Sequence, residues 1–344
     1  MKEIEVKREE ALRRFDNAMC AVETKRCLIQ SDSFVFYKGN LITFNGEMRT
    51  IQTSPFGDEI EGSILAQDLL AVFKKFSDEN LLISAGDGEL LVSGEKRKAG
   101  VKMDQDILMP FKTVQRAKEY KPLLPELMDY LVQASLVCSK DESANWEMTH
   151  VHANAEFVDA TDRHRYFRAS LATGLDKPLL IQAKLVQVLS KFKLVEIDAT
   201  TTEGWVHFRT AENFEISLIM NKSGYFKRTM LDNLLVLPDA KYVQLPENLE
   251  EILARAEIMS DKENQSVEIT LKEGEVSVFS KKAFGWFRET QKVDYIGPDF
   301  SFSINPAFLR GMLKKTKEML VNDFLAKVSV DGTHFVAALI KKVV

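Results

Sequence analysis

The segment that decides the fold is SILAQDLLAVFKKF at residues 63–76, because the chain contains two further variants of it. The variants read LIQAKLVQVLSKFK at 180–193 and SINPAFLRGMLKKTK at 303–317. Each starts with a strand-like apolar residue and continues with apolar residues at spacings of three and four, the periodicity of an amphipathic helix. The three segments begin 117 and 123 residues apart, a separation of domain length. The sequence therefore predicts three copies of one domain.

A second amphipathic segment precedes each copy of this repeat. The three read REEALRRFDNAM, LLPELMDYLVQASLV and ENLEEILARAEIM, with apolar residues at helical spacing. Alternating runs around turn residues, such as VEITLKEGEVSVFS, predict antiparallel hairpins. The expected fold class is therefore α+β, with two helices on antiparallel sheets in each copy. Proline and charged residues interrupt the pattern near 118–125 and 237–246. The predicted domains are residues 1–119, 120–240 and 241–344.

Composition places the chain among folded proteins of the cytosol. Of 344 residues, 45% are hydrophobic and 28% charged, which argues against both disorder and a membrane-embedded chain. The charged N-terminal stretch lacks the apolar segment of a secretory signal, so a cytoplasmic location is expected. Cys20, Cys27 and Cys138 lack the Cys-x-x-Cys spacing of zinc or redox sites and are expected to be free thiols.

Lysines on the repeated helices point to one shared partner. The net charge of −5 by itself opposes binding to phosphate at long range. Superposition of the repeats, however, aligns Lys74, Lys191 and Lys314. A lysine on the solvated face of one amphipathic helix is uninformative, but three at one repeat position of an acidic protein favour contact with one shared partner. Further cations flank these positions: Lys184, Arg310 and Lys317.

These features resemble the beta sliding clamp of bacterial replicative DNA polymerase over nearly the whole chain. TDRHR at 161–165 resembles the family's Thr-Asp-Gly-His-Arg. LARAEIMSDKENQSVEITLKEGEVSVFS and FSINPAFLRGML resemble two parts of the family's third domain. Divergence elsewhere, above all in the first domain, suggests a virus-encoded or otherwise distant member. The resemblance implies a processivity factor without enzymatic activity and without a cofactor.

The resemblance also implies an assembly and its partners. Six domains, from a head-to-tail homodimer, would form a ring around double-stranded DNA without reading its sequence, and the partners would be a DNA polymerase and a clamp loader. Lys25 and Arg26 match the position of a basic loop at the DNA entrance. The implied DNA-facing residues are Lys25, Arg26, Lys74, Lys184, Lys191, Arg310, Lys314 and Lys317.

The segment TDRHRYF at 161–167 resembles one wall of the family's groove for short partner peptides. By this resemblance the groove residues are Thr161, His164, Arg165, Tyr166, Leu339, Ile340, Val343 and Val344. Apolar pockets with a polar rim suit peptide capture. The chain departs from the family at Arg163, where the family has glycine, and at Lys341 and Lys342, where it has proline and methionine.

Two other functions compete with a clamp. A metal-dependent enzyme acting on nucleic acid would use Asp162 and His164, and the His-x-His pair of His150 and His152 would share one strand face, but the sequence shows no third ligand. Asp162 is expected to cap or orient its neighbours instead. A clamp-like scaffold that binds peptides without encircling DNA is the other alternative.

Overall fold

The computed structural model describes residues 3–25, 27–141, 143–199, 204–260, 265–314 and 316–340. The helices are α1 Arg8–Ala18, α2 Ala66–Lys75, α3 Pro125–Ser135, α4 Trp146–Thr149, α5 Ala183–Leu189, α6 Arg228–Asn233, α7 Leu249–Ile258 and α8 Pro306–Met312. The strands up to the middle of the chain are β1 Ile4–Lys7, β2 Ser33–Tyr37, β3 Asn40–Phe44, β4 Met48–Thr53, β5 Gly62–Leu65, β6 Asn80–Gly86, β7 Glu89–Ser93, β8 Lys98–Lys102, β9 Lys121–Pro122, β10 His150–Ala153, β11 Phe157–Thr161 and β12 Arg165–Ser170. The remaining strands are β13 Leu179–Gln182, β14 Leu194–Asp198, β15 Trp205–Thr210, β16 Glu215–Ile219, β17 Lys241–Gln244, β18 Val267–Lys272, β19 Glu275–Lys282, β20 Gly285–Lys292, β21 Phe300–Ile304, β22 Glu318–Val321, β23 Leu325–Val330 and β24 Thr333–Ala338.

The chain forms two compact units. The first joins residues 1–128 with 175–222, and the second joins 129–174 with 223–344. The first unit has a four-stranded sheet, β1-β6-β7-β8, and an eight-stranded sheet, β5-β2-β3-β4-β16-β15-β14-β9. The second unit has a four-stranded sheet, β20-β19-β18-β21, and a run of seven strands, β10-β11-β12-β24-β23-β22-β17. The expected α+β class is confirmed, while the three predicted domain limits stay a prediction.

The repeat seen in the sequence appears as a strand that leads directly into a helix. Strands β5, β13 and β21 lead into α2, α5 and α8, respectively. Ile64, Ile181 and Ile304 each lie two residues before the helix and are buried. At the third copy Asn305 caps the helix, because its side-chain oxygen accepts a hydrogen bond from the Ala307 amide at 2.9 Å. The predicted helical repeats are confirmed in all three places.

The first helix of the chain owes its position to aromatic packing. Helix α1 buries Ala11, Phe15 and Ala18 on one face. The ring of Phe15 stacks on Phe34 at 5.2 Å between centroids and meets the edge of Phe73, on α2, at 5.1 Å. Helices α1 and α2 therefore share one apolar core with the sheet beneath them.

In each unit, a segment that connects two strands packs on one face of the large sheet. In the first unit this segment, residues 107–114, buries Met109, Phe111 and Val114 against the sheet. In the second unit residues 225–235 contribute Leu231 and neighbouring apolar side chains to a cluster with Tyr166 and Val336. We call these the first and second cover segments. Each packs beside the place where two groups of strands pair, β4 with β16 in the first unit and β12 with β24 in the second. We call these pairings the first and second joints.

The first joint contains a buried polar network. The guanidinium of Arg49 donates to the carbonyl of Val114 at 2.5 Å and to the Glu215 carboxylate at 2.7 Å. The Ser217 hydroxyl accepts from Arg49 at 3.1 Å and lies 2.8 Å from Nδ1 of His207. This network fixes the first cover segment to the sheet, because Arg49 lies on β4 and Val114 in the segment.

Stability should depend on pH through His207. Burial lowers the pKa of this side chain below its usual 6.5, and its Nε2 has no hydrogen-bond partner among the described residues. The unfolded chain then binds a proton at a higher pH than the folded chain does. We expect the free energy of unfolding to be highest above about pH 6.5 and to decrease as the pH falls below it, by at most about 1.4 kcal/mol per pH unit. Urea unfolding at several pH values measures this slope.

The control is His207→Gln, which keeps a polar group beside Ser217 but does not titrate. The variant should show a smaller loss of stability between about pH 7 and pH 5. An identical pH dependence in both proteins would show that His207 does not contribute.

Candidate functional site

The segment TDRHRYF forms the turn between β11 and β12. Arg163 adopts a left-handed backbone conformation with φ 75°, which glycine adopts at little cost and arginine does not. The preceding residue holds the turn. One oxygen of the Asp162 carboxylate accepts from the amides of His164 at 3.0 Å and Arg165 at 2.7 Å. The expectation that Asp162 caps and orients its neighbours is confirmed.

Arg165 connects this turn to two helices. Its guanidinium pairs with the second oxygen of Asp162 at 2.7 and 2.9 Å. It also donates to the carbonyls of Leu136 and Val137, both at 3.1 Å, just after α3. Its Cζ lies 4.4 Å from the ring centre of Phe308 on α8, which is cation–π distance. Arg165 therefore holds the turn, the end of α3 and Phe308 on α8 together.

Tyr166 supplies a buried wall. Its ring packs with Leu231 and Val336, and its hydroxyl donates to Asp159 at 2.9 Å. Burial, together with the negative charge of Asp159, raises the pKa of the Tyr166 hydroxyl. The hydroxyl therefore stays protonated and acts as a hydrogen-bond donor, with no capacity to act as a base near neutral pH.

These residues enclose a cavity of about 300 Å³ in the second unit. The floor is apolar, and the polar side chains Gln133, Arg165 and Lys314 stand among the lining groups. The lining residues are Gln133, Leu136, Val137, Arg165, Tyr166, Ala307, Phe308, Gly311, Met312, Lys314, Phe335 and Val336. An apolar cavity with a few polar side chains suits an apolar side chain of a peptide, with its backbone or a carboxylate held at the rim.

Solved structures similar to this chain include DNA polymerase sliding clamps and DNA polymerase beta subunits. The beta subunit of the DNA polymerase of Streptococcus pyogenes has 17% identity and a TM-score of 0.84, over 99% of this chain and 100% of that one. The DNA polymerase III beta chain of Streptococcus pneumoniae has 18% identity and a TM-score of 0.84 over the same shares. The beta subunit from Pseudomonas aeruginosa has 15% identity and a TM-score of 0.82, also over 99% and 100%. The chain has the beta sliding-clamp fold.

Only structural similarity carries this assignment of the sliding-clamp fold. No protein-family profile matches the sequence, and no curated protein sequence matches it. At such low identity the similarity shows the fold.

The clamp fold brings together some of the predicted groove residues. Arg165 and Tyr166 line the cavity described above. Thr161 and His164 lie in the same turn without lining it, and the Thr161 hydroxyl donates to the carbonyl of Arg165 at 2.7 Å. The other two described residues, Leu339 and Ile340, line a separate cavity of about 360 Å³ beside β21. Val343 and Val344 lie outside the described residues.

Several residues of the cavity escaped sequence reasoning. Phe308 and Met312 belong to the apolar stripe of α8, which reads as core. Leu136 follows α3 and is exposed although apolar, a signal that only a structure reveals. Lys314, predicted to face DNA, lines the cavity as well.

Four of the eight predicted DNA-facing cations are paired with carboxylates. Lys74 lies 3.4 Å from Asp16, and the other pairs have distances of 2.6–2.9 Å. Those pairs are Lys184–Glu47, Arg310–Glu257 and Lys317–Glu250. Lys25, Lys191 and Lys314 are exposed, and Arg26 lies outside the described residues. Phosphates of DNA would have to compete with these carboxylates, which predicts weak direct binding.

A metal site needs several ligand side chains at one place. No group of three His, Cys, Asp or Glu side chains within the described residues is arranged to hold a metal. Both members of the His-x-His pair make other contacts: Nδ1 of His150 lies 2.7 Å from the Trp146 carbonyl, and Nδ1 of His152 lies 2.8 Å from Asp159. None of the described helices is long and apolar enough to span a membrane.

Proposed function

We propose that the protein is a sliding clamp, which encircles duplex DNA as a head-to-tail homodimer and tethers a DNA polymerase without catalysing a reaction. The observation that carries this proposal is that β8 and β20 are edge strands of the two four-stranded sheets. Each pairs with a neighbour on one side only among the described strands, and each is the repeat equivalent of strands that are joined elsewhere in the chain.

The equivalence of β8 follows from strand order. Strand β9 stands just before α3 and opens the order β9-β14-β15-β16, which ends at the first joint. Strand β17 stands just before α7 and opens the order β17-β22-β23-β24, which ends at the second joint. Strand β1 leads into α1 and opens the order β1-β6-β7-β8. Strand β8 therefore occupies the position of β16 and β24, but lacks a partner strand among those described.

The equivalence of β20 follows in the same way. Strand β5 leads into α2 and opens the order β5-β2-β3-β4, where β4 pairs with β16. Strand β21 leads into α8 and opens the order β21-β18-β19-β20. Strand β20 therefore occupies the position of β4. Pairing β8 of one copy with β20 of a second copy, and the reverse, makes a third type of joint and closes a ring of six domains.

The predicted domains, residues 1–119, 120–240 and 241–344, supply three of the six. Lys74 on α2 and Lys191 just after α5 would then face the duplex, and phosphate contacts of this kind hold DNA without reading its sequence. The cavity beside Arg165 and Phe308 would take an apolar segment of a polymerase or of a clamp loader. Four of the predicted DNA-facing cations form ion pairs with carboxylates, which lowers their direct affinity for DNA. The clamp would therefore hold DNA by encircling it.

Retention on circular DNA tests this function. A clamp, loaded on nicked circular DNA by a loader, should co-elute with the DNA in gel filtration and be lost when the circle is cut with a restriction enzyme. The reason is that a closed ring leaves DNA only over a free end. We expect a loss of most of the bound protein, whereas protein bound directly to phosphates would remain on the linear product.

Two other outcomes separate the alternatives. Protein that binds polymerase peptides but never stays on circular DNA would be a scaffold with the clamp fold. Turnover of nucleic acid that depends on an added divalent metal would show an enzyme.

A further inference from the structure

The internal repeat also aligns the residues of β20 with those of β4. In the first unit the hydroxyl of Thr43 donates to the carbonyl of Ala18 on α1 at 2.9 Å, and in the second unit Ser280 donates to Ala256 on α7 at 2.7 Å. Thr43 lies opposite Thr50 on β4. Ser280 lies opposite Phe287 on β20. Phe287 is therefore the equivalent of Thr50, which makes Trp286 the equivalent of Arg49 and Arg288 the equivalent of Ile51.

The same comparison aligns β8 with β16. Ile83 and Ile197 lie at the same distance along the chain from the ends of α2 and α5. Ile83 is paired to Val92 and, through it, to Ala99 on β8. Ile197 is paired to Phe208 and, through it, to Ile216 on β16. Ala99 is therefore the equivalent of Ile216.

The register of the first joint then predicts the register between two copies. In that joint Arg49 lies opposite Ser217, Thr50 opposite Ile216 and Ile51 opposite Glu215. The equivalent pairs place Trp286 over Gly100, Phe287 against Ala99, and Arg288 against Lys98. Trp286 is 65% exposed in the single chain. The Glu89 carboxylate lies above Gly100, because a Cβ at this glycine would be 2.7 Å from its Oε2. The Glu89 side chain therefore has to turn aside for the Trp286 ring to cover Gly100, an arrangement of aromatic ring and glycine that is favourable across strands.

The pair of Arg288 and Lys98 is unfavourable, because two cations lie directly opposite each other. Both side chains are exposed, and neither has an ion-pair partner within the described ranges. The guanidinium of Arg288 lies over the ring of Phe279 at 5.0 Å. Glu289, the next residue, is held by Arg255 through two hydrogen bonds of 2.8 and 2.9 Å, so it does not neutralise the pair.

The second joint shows how the chain compensates a cation at this position. There Arg168 lies opposite His334, and the strand beside it carries Asp159, paired directly with Arg168. At the corresponding place beside Arg288 the chain has Phe279. The strand beside Arg288 therefore has no carboxylate at the position that Asp159 occupies beside Arg168.

We propose that the joint between two copies pairs β8 with β20 in this register, and that the facing cations Arg288 and Lys98 hold the dimer weakly at low ionic strength. An increase in salt concentration, which screens the repulsion between these two cations, then tightens the dimer. The inference rests on the proposed assembly and adds to it the residues that set its strength. It predicts a salt dependence opposite in sign to that of a joint built from ion pairs.

Sedimentation velocity of the full chain tests the proposal through a cycle of charge reversals. We expect the dimer dissociation constant to fall severalfold between about 0.05 M and about 0.5 M NaCl. Arg288→Glu and Lys98→Glu should each tighten the dimer about threefold to tenfold at low salt, and the two changes together should return it to weak association. Trp286→Ala should loosen it.

Lys272→Glu is the matched control, because Lys272 is exposed at the end of β18, away from the edge strand. It makes the same change in net charge and should leave the dimer unchanged or slightly weaker. A dimer that weakens with salt, and that neither single reversal tightens, would overturn the register while leaving the assembly intact. A chain that stays monomeric in every variant and at every salt concentration would overturn the assembly itself.

Discussion

Replacing Asp159 by alanine should lower the free energy of unfolding by about 3–5 kcal/mol, the cost of leaving buried charged and polar partners uncompensated. The Asp159 carboxylate is 0% exposed and receives three partners. Arg168 lies at 3.2 Å, the Tyr166 hydroxyl at 2.9 Å and Nδ1 of His152 at 2.8 Å. Urea or thermal unfolding of the purified variant measures the loss.

Asp232→Ala is the matched control for this variant. Asp232 also pairs with Arg168, but its side chain is 44% exposed, so water replaces it when it is removed. We expect a loss of about 1 kcal/mol or less. Equal losses in the two variants would show that burial of Asp159 is not what makes this network important.

Replacing Phe308 by alanine should weaken binding of a polymerase peptide about thirtyfold or more. Aromatic side chains at the centre of an apolar cavity typically contribute about 2 kcal/mol or more to binding, and Phe308 both lines the cavity and holds the guanidinium of Arg165. Fluorescence anisotropy with a labelled peptide from the C-terminus of the polymerase measures the change.

Two comparison variants locate the peptide. Phe324→Ala removes an exposed aromatic ring that lines neither cavity and should bind the peptide like the parent protein. Ile340→Ala tests the second cavity, to which the sequence resemblance had extended the groove. A strong effect of Ile340→Ala with none from Phe308→Ala would move the docking site from α8 to the C-terminal side.

Periodicity in the sequence predicted the helices that organise both units, because an amphipathic pattern states which face is buried without knowledge of the partner. The orienting role of Asp162 was predictable for a similar reason, since a short acidic side chain bonds to amides within its own turn. The remainder of the cavity depends on which elements meet. Phe308 and Lys314 lie in or just after one helix, and nothing in that segment indicates that its neighbour is the turn containing Arg165.

The predicted DNA-facing cations show the same limit of prediction from sequence. Their recurrence at one repeat position was visible in the sequence, but their carboxylate partners come from distant segments, as with Lys184 and Glu47. The cover segments were equally hidden. Only the tertiary fold shows that Phe111 and Leu231 pack on one face of each large sheet.

The cover segments have a further consequence for how long such an assembly persists. The joints at β4·β16 and β12·β24 are each sealed by residues of the same polypeptide, so their closure is a unimolecular event whose probability is unaffected by dilution. A joint between β8 and β20 of separate copies has no such tether and obeys mass action. In the proposed assembly, the residence time of a closed ring on a DNA circle would therefore be set by the dissociation rate of that joint, while the supply of closed rings would depend on the concentration of free subunits.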